Sequence, residues 1–150
     1  MSKVRIILGS KSDLRHGEKI KSFLEKFGIK YDFHISSAHR RPKETAKLAL
    51  NAEEDGFSVI IAAAGMAAHL PGVLASHTIL PVIGVPLTGP SLPGTDALYS
   101  VVQMPTGVPV ATVAIDGAKN AAILAAQILA LNNQDIKKSL KNYKKELAKK

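Results

Sequence analysis

The sequence predicts a doubly wound α/β domain with a parallel five-stranded sheet. Three observations lead there. Short runs of apolar β-formers alternate with helix-period segments along the whole chain. The links between them are short, as successive strand–helix–strand units require. Glycine, serine and histidine clusters follow several strands, whereas Phe27-Gly28-Ile29-Lys30 and Glu54-Asp55-Gly56-Phe57 read as plain helix ends. Loops leaving the carboxyl ends of strands in such a sheet meet in one crevice, so this asymmetry points to a site.

Residues 4–8 form an apolar run, interrupted only by Arg5, of the kind buried on both faces of a parallel sheet. A helix over about 13–27 follows, with Ile20, Phe23, Leu24 and Phe27 on one side and Gly28 as its stop. Residues 31–36 make the second strand. Pro42 opens the second helix, where proline is tolerated, and Gly56 closes it. Strands three, four and five fall at 58–63, 82–85 and 110–115. Further helices fall near 67–76, 94–103 and 120–131. The order is that of a flavodoxin-like, three-layer α/β/α fold, with a C-terminal helix added.

At 150 residues the chain suits one domain that buries about 70% of its unfolded surface. It has no Trp, three Tyr and four Phe, so Ile, Leu, Val and Ala must supply the core. With no cysteine there is no disulfide, thiolate metal site or cysteine nucleophile, and a cytoplasmic location is expected. The start of the chain has no signal-peptide pattern, and no apolar run approaches the ~20 residues that cross a bilayer.

The formal charge of +8 resembles a nucleic-acid signal until it is mapped. Residues 133–150 hold seven Lys against Asp135 and Glu146, or +5; residues 1–132 carry the remaining +3. The division is therefore a body over 1–132 and a basic tail over 133–150. Ile136, Leu140, Tyr143 and Leu147 recur in the tail at helical spacing. An amphipathic helix packing on the body or on a neighbouring subunit is the simplest reading, ahead of a membrane-surface or RNA role. The helix at 120–131 is apolar on nearly every face, which suggests burial against other subunits in a homo-oligomer.

Several chemistries are excluded by pattern. The P-loop and the dinucleotide glycine fingerprint are absent, as is the Gly-x-Ser-x-Gly elbow. No His or carboxylate pair has metal-ligand spacing; His69 and His77 are eight apart across Pro71-Gly72. No metal and no cofactor are expected.

Three loops carry the candidate chemistry. Gly9-Ser10-Lys11-Ser12-Asp13 puts hydroxyls and free N–H groups at a helix start, a natural cradle for a phosphate monoester. It reads equally as a plain turn with Ser12 or Asp13 as N-cap. Asp13 is also suited to ribose hydroxyls. In Ser37-Ala38-His39-Arg40, the arginine could complete a phosphate site, while a histidine passes protons either way near neutral pH. Gly65-Met66-Ala67-Ala68-His69-Leu70-Pro71-Gly72 is small and glycine-flanked, letting backbone approach a planar ligand; His69 there is structural or catalytic. His34 and His77 read as structural, His16 as a surface residue and Arg41 as solvent-facing. Residues 91–96, with Pro90 and Pro93, suit a cleft rim or a subunit contact.

At these residues the chain resembles the class I N5-carboxyaminoimidazole ribonucleotide mutases, over nearly all of 4–131. The shared segments are Gly-Ser-Lys-Ser-Asp at 9–13, Ser-Ala-His-Arg at 37–40, Ala-Ala-His-Leu-Pro-Gly at 67–72, Pro-Val-Ile-Gly-Val-Pro at 81–86 and Gln-Met-Pro at 103–105; residues 108–115 and 120–126 complete them. The resemblance implies a purine-synthesis reaction without ATP, metal or organic cofactor. A carboxylate on the exocyclic nitrogen of an aminoimidazole ribonucleotide moves to the ring carbon through released CO2. It implies His39 as general acid and base, with His69 as a second catalytic group. Ser10, Ser12 and Arg40 would hold the phosphate and Asp13 the ribose. Ser37, Gly65, Ala67 and Leu70 would surround the heterocycle and trapped CO2. The partners implied are a nucleotide monophosphate, CO2 and copies of the chain in an octamer, with no nucleic acid and no membrane.

The sequence departs from that pattern at Met66, where the family usually has Gly, at Arg41 for Thr, and at Ala97 for Ser within 92–97. A class II relative carboxylates the aminoimidazole ribonucleotide directly and tends to carry Lys after the catalytic His, so Arg40 and His69 favour class I. A non-catalytic nucleotide-binding module on the same fold is the alternative of another kind. A receiver domain is not, since Ala62-Ala63-Ala64-Gly65 offers no phospho-acceptor.

Overall fold

The computed structural model describes residues 3–150, so residues 1 and 2 of the expected body lie outside the described residues. Five strands, β1 (Lys3–Leu8), β2 (Lys30–Ile35), β3 (Val59–Gly65), β4 (Val82–Leu87) and β5 (Ala111–Thr112), form one sheet in the order β2-β1-β3-β4-β5. Every neighbouring pair is parallel. This is the flavodoxin-like order, and its direction reverses between β1 and β3.

Six α-helices cover the two faces: α1 (Leu14–Lys26), α2 (Pro42–Leu50), α3 (Leu70–Ser76), α4 (Thr95–Val102), α5 (Ala118–Ala130) and α6 (Gln134–Leu147). The period-2 alternation of the strands assigns the faces. Ile6, Leu8, Val59, Ile61, Ala63, Ile83 and Val85 bury against α1, α5 and α6. Ile7, Ile60, Ala62, Ala64 and Val82 bury against α2, α3 and α4. Both faces of the central strands are buried, which is why their sequences read as nearly continuous apolar runs, with Arg5 of β1 the exception.

Helix α1 packs very close to the sheet. A Cβ at Gly17 would lie 2.8 Å from Phe33 Cε2 and 2.9 Å from Leu8 Cδ1, so any larger residue forces those side chains to shift. His16, Ile20 and Leu24 share its buried face. His16 is 4% exposed, not the surface residue its polarity suggested. Its spacing of four from Ile20 and eight from Leu24 puts it on the inward stripe.

The all-round apolarity of α5 is largely satisfied within the chain. Its alanines at 121, 122, 125 and 126 face the sheet core, and Ile123, Leu124 and Ile128 are partly buried against the same cluster. Helix α6 begins at Asn133, whose side chain accepts from the N–H groups of Asp135 and Ile136, both at 3.1 Å. It then buries Ile136 and Leu140 and sets Tyr143 edge-on to Phe23 and Phe27, with ring centroids 6.1 and 5.5 Å apart.

β5 is shorter than the residues 110–115 suggested. Val113 N donates to Gly84 O and the next bond comes from Asp116 N to Pro86 O. Three residues on this side therefore oppose two on β4, which breaks the ladder. The extra length is a tight turn closed by Gly117 N to Ala114 O, with Asp116 at φ +59°. No described helix is long and apolar enough to cross a membrane.

Candidate active site

A cleft of about 350 Å³ opens at the carboxyl ends of β1, β3 and β4, beside the point where strand order reverses. Ser10, Ser12, Asp13, Ser37, His39, Arg40, Gly65, Ala67, His69 and Leu70 all line it. Three loops separated by up to 60 residues in sequence are brought together because each follows a strand in one parallel sheet.

The first wall is the 9–13 loop. Residues Lys11–Asp13 form a single 3₁₀ turn before α1. Ser10 caps that turn: its Oγ accepts from Ser12 N at 3.4 Å and from Ser12 Oγ at 3.1 Å. Asp13, expected as a possible cap, makes no capping bond to α1. Burial pushes the Asp13 carboxyl above its ordinary value, against a hydrogen bond from the Ser10 backbone and the Arg15 charge.

The second wall is the turn between β2 and α2. Ser37 holds it, with its Oγ accepting from Arg40 N at 3.2 Å and its carbonyl from Arg41 N at 2.8 Å. This presents His39 and Arg40 side by side at the cleft. Among the described residues Arg40 makes no ion pair, whereas Arg41 turns outward to Glu44 at 3.3 Å. Arg40 thus brings a guanidinium without an ion pair to the cleft that Ser10 and Ser12 also line, a set of donors suited to an anion with several oxygens.

The third wall runs from Gly65 to Leu70. Met66 adopts φ +57° and is 61% exposed at the cleft. The chain then turns into α3, with Leu70 buried beneath. His69 Nδ1 lies 2.6 Å from His39 Nε2, and the rings meet edge to face at 78° with centroids 4.8 Å apart. One imidazole donates and the other accepts, so a single proton is shared between two exposed rings.

Thr88, Gly89 and Pro90 complete the lining, and of these the sequence had suggested only Pro90. Residues 91–96, which suited a cleft rim or a subunit contact, do not line the cleft. The cause is a boundary: β4 continues to Leu87 rather than Val85, so the loop beyond it begins at Thr88. His34 pairs with Asp32 at 2.9 Å on β2, and His77 ends α3.

A sequence model of the AIR carboxylase family matches residues 3–150. The chain is 54% identical over 147 residues to the N5-carboxyaminoimidazole ribonucleotide mutase of Pyrococcus horikoshii, covering 98% of this chain and 83% of that protein. It is 55% identical over 147 residues to the mutase of Thermotoga maritima, covering 98% and 86%, and 46% identical over 146 residues to that of Escherichia coli K12, covering 96% and 86%. The crystal structure of Treponema denticola PurE superposes with a TM-score of 0.86 at 35% identity, over 97% of this chain and 91% of that one. With the match running across every element that builds the cleft, the chain belongs to the AIR carboxylase family.

Proposed function

We propose that this protein converts N5-carboxyaminoimidazole ribonucleotide to its carbon-carboxylated isomer, 4-carboxy-5-aminoimidazole ribonucleotide, in purine biosynthesis, without ATP or metal. The observation that carries this reading is the His39–His69 pair at 2.6 Å beside an unpaired arginine and two serine hydroxyls. The chemistry needs one proton moved twice and one phosphate held still.

The phosphate sits between Ser10, Ser12 and Arg40, with Asp13 on the ribose. The heterocycle then extends toward Ser37 and the 65–70 loop. His39 gives a proton to the exocyclic nitrogen as the N–CO2 bond breaks, leaving neutral aminoimidazole and CO2. The enamine-like ring carbon attacks that CO2, forming the new C–C bond. His39 takes the proton from the same carbon, which restores the starting imidazole. Protons and electrons balance without a co-reactant. His69, on the other side of the shared proton, fixes which nitrogen of His39 is loaded. Small residues and backbone around the ring exclude water and keep CO2 beside its acceptor.

We infer a homo-octamer in the cytoplasm as the working form, supported by the family resemblance, by Tyr99 and Val102 left exposed on α4 and Leu131 just past the end of α5, and by the absence of cysteine.

The test is conversion of N5-carboxyaminoimidazole ribonucleotide by purified protein, with EDTA and no ATP, beside a second mixture of aminoimidazole ribonucleotide and bicarbonate. Rapid conversion of the carbamate alone is expected. Preference for the second mixture makes the protein a direct carboxylase, and silence in both overturns the reading. Arg40→Ala is expected to weaken nucleotide binding about tenfold or more by loss of a charged hydrogen bond, with little change in Tm.

A further inference from the structure

A carboxylate outside the three loops ties down the fourth wall of the cleft. Asp116 lies in the turn between β5 and α5, at φ +59°. Its N–H donates to Pro86 O at 2.8 Å, which anchors the turn to β4. Its Oδ1 accepts from Thr88 N and its Oδ2 from Thr88 Oγ1, each at 3.0 Å. Both carboxylate oxygens are thus committed to one residue of the cleft wall.

That wall braces the loop that carries His69. A Cβ at Gly65 would sit 3.4 Å from Leu87 O and 3.7 Å from Thr88 O. A Cβ at Gly89 would sit 3.5 Å from Met66 Cγ and 3.9 Å from Met66 N. The two segments therefore run side by side: Gly65 pairs with Leu87 at the end of the β3–β4 ladder, Thr88 follows directly, and Gly89 lies next to Met66 with room for no more than a methyl group between them. Three residues on, His69 meets His39.

We propose that Asp116 is a positioning residue for the reaction, clamping Thr88 so that the 88–90 wall holds the 65–70 loop, and with it His69, in register with His39. The proposal rests on the function proposed above.

In its ionised form the Asp116 carboxylate accepts both bonds. Burial opposes ionisation, but the two Thr88 hydrogen bonds, His16 and Arg15 outweigh it and hold the Asp116 carboxyl below its ordinary value. His16 stands behind it, with Nε2 3.8 Å from Asp116 Oδ1.

Two variants separate the clamp from the backbone strain. Both Gly and Asn accept a positive φ. Asp116→Gly removes both bonds. Asp116→Asn keeps both, with the amide oxygen accepting from Thr88 N and the NH2 donating to Thr88 Oγ1. In the full-length protein, D116G is expected to lower kcat about tenfold or more with KM for the carbamate little changed, because the phosphate site lies on other loops. D116N is expected to recover most of the wild-type kcat. Amide exchange in the 65–70 and 88–90 segments, read by mass spectrometry, is expected to quicken in D116G and not in D116N.

A D116G kcat equal to wild type, or D116N as impaired as D116G, overturns the proposal. A lowered Tm with kcat unchanged well below it also overturns it, by leaving Asp116 a structural role alone. If wild type itself fails to turn over the carbamate, the functional reading falls. Amide exchange in the 65–70 loop then decides the clamp: unchanged exchange in D116G overturns it, and quickened exchange restored in D116N supports it.

Discussion

His39 Nε2 and His69 Nδ1 stand 2.6 Å apart, on loops that follow two different strands. Neither ring has another hydrogen-bond partner among the described residues. The pair therefore shares one proton, and in the proposed reaction His69 sets which tautomer His39 presents to the substrate. His39→Asn is expected to lower kcat by about 10³-fold or more, in the upper range for a lost general acid–base group, while nucleotide binding survives. His69→Asn is expected to lower kcat less, and the double variant no further than His39→Asn alone. Strictly additive losses would show that the two rings work independently.

Much of this geometry was legible before any coordinates. The central parallel strands show as nearly continuous apolar runs, and the loops at their carboxyl ends must converge, so residues as distant as Ser10, Arg40 and His69 could be placed in one cleft. The fourth wall was not legible for two local reasons. Pro86 looks like a strand stop, yet β4 runs through it to Leu87 because Pro86 and Leu87 still pair with Ala64 and Gly65 of β3. Asp116 in Ile115-Asp116-Gly117 reads as an ordinary turn residue, and nothing local reveals that both its oxygens reach 28 residues back to Thr88. His16 did carry a signal, its i+4 spacing to Ile20, but polarity outweighed periodicity in the reading.

Met66 holds a left-handed backbone conformation that costs a non-glycine residue about 1–2 kcal/mol. Its side chain is 61% exposed, so little burial offsets that strain. Met66→Gly is expected to raise stability by up to about 1 kcal/mol after the extra entropy of glycine in the unfolded chain is subtracted. Met66→Ala keeps the strain and gains nothing. Chemical denaturation of the three proteins checks this; equal midpoints for the Gly and Ala variants would show that the turn is not strained.

Arg5 offers the opposite case, a charge that serves the fold and not the cleft. Its side chain is 7% exposed and lies in the first half of β1, away from the carboxyl end. The guanidinium binds Asp32 at 2.9 Å, Asp55 at 3.0 Å and Leu48 O at 2.9 Å, and stacks 4.2 Å from the Phe57 ring centroid. Asp32 and Asp55 are 31% and 49% exposed, so water can partly replace the lost partner. Arg5→Met is therefore expected to cost about 2–3 kcal/mol, below the range for a fully buried broken pair. Steady-state kinetics well below the lowered Tm should match wild type, and a large loss of kcat there would tie Arg5 to the reaction.

His16 sets a pH dependence whose sign follows from its burial. Desolvation holds its imidazole below the ordinary 6.5, helped by Arg15 and Lys19 and opposed by the Asp116 carboxylate. Among the described residues its Nδ1 is buried without a partner, and Arg15 Nε donates to its Nε2 at 3.4 Å, an arrangement that suits the neutral ring. As pH falls through 6.5 the unfolded chain takes up a proton that the folded one refuses, so this contribution is full above that value and declines below it, until the folded ring also protonates. Asp116 titrates below its ordinary 3.8 in the folded state, so its own contribution fades only in more acid solution and leaves this window clear. His16→Leu extends the Ile20–Leu24 stripe and removes the titration. Between pH 7.5 and 5.5 the Tm of wild type is expected to fall more steeply than that of the variant. The other four histidines are common to both proteins and cancel in the comparison. Parallel Tm curves would mean that His16 takes up its proton as readily folded as unfolded, and the buried neutral ring would have to be abandoned.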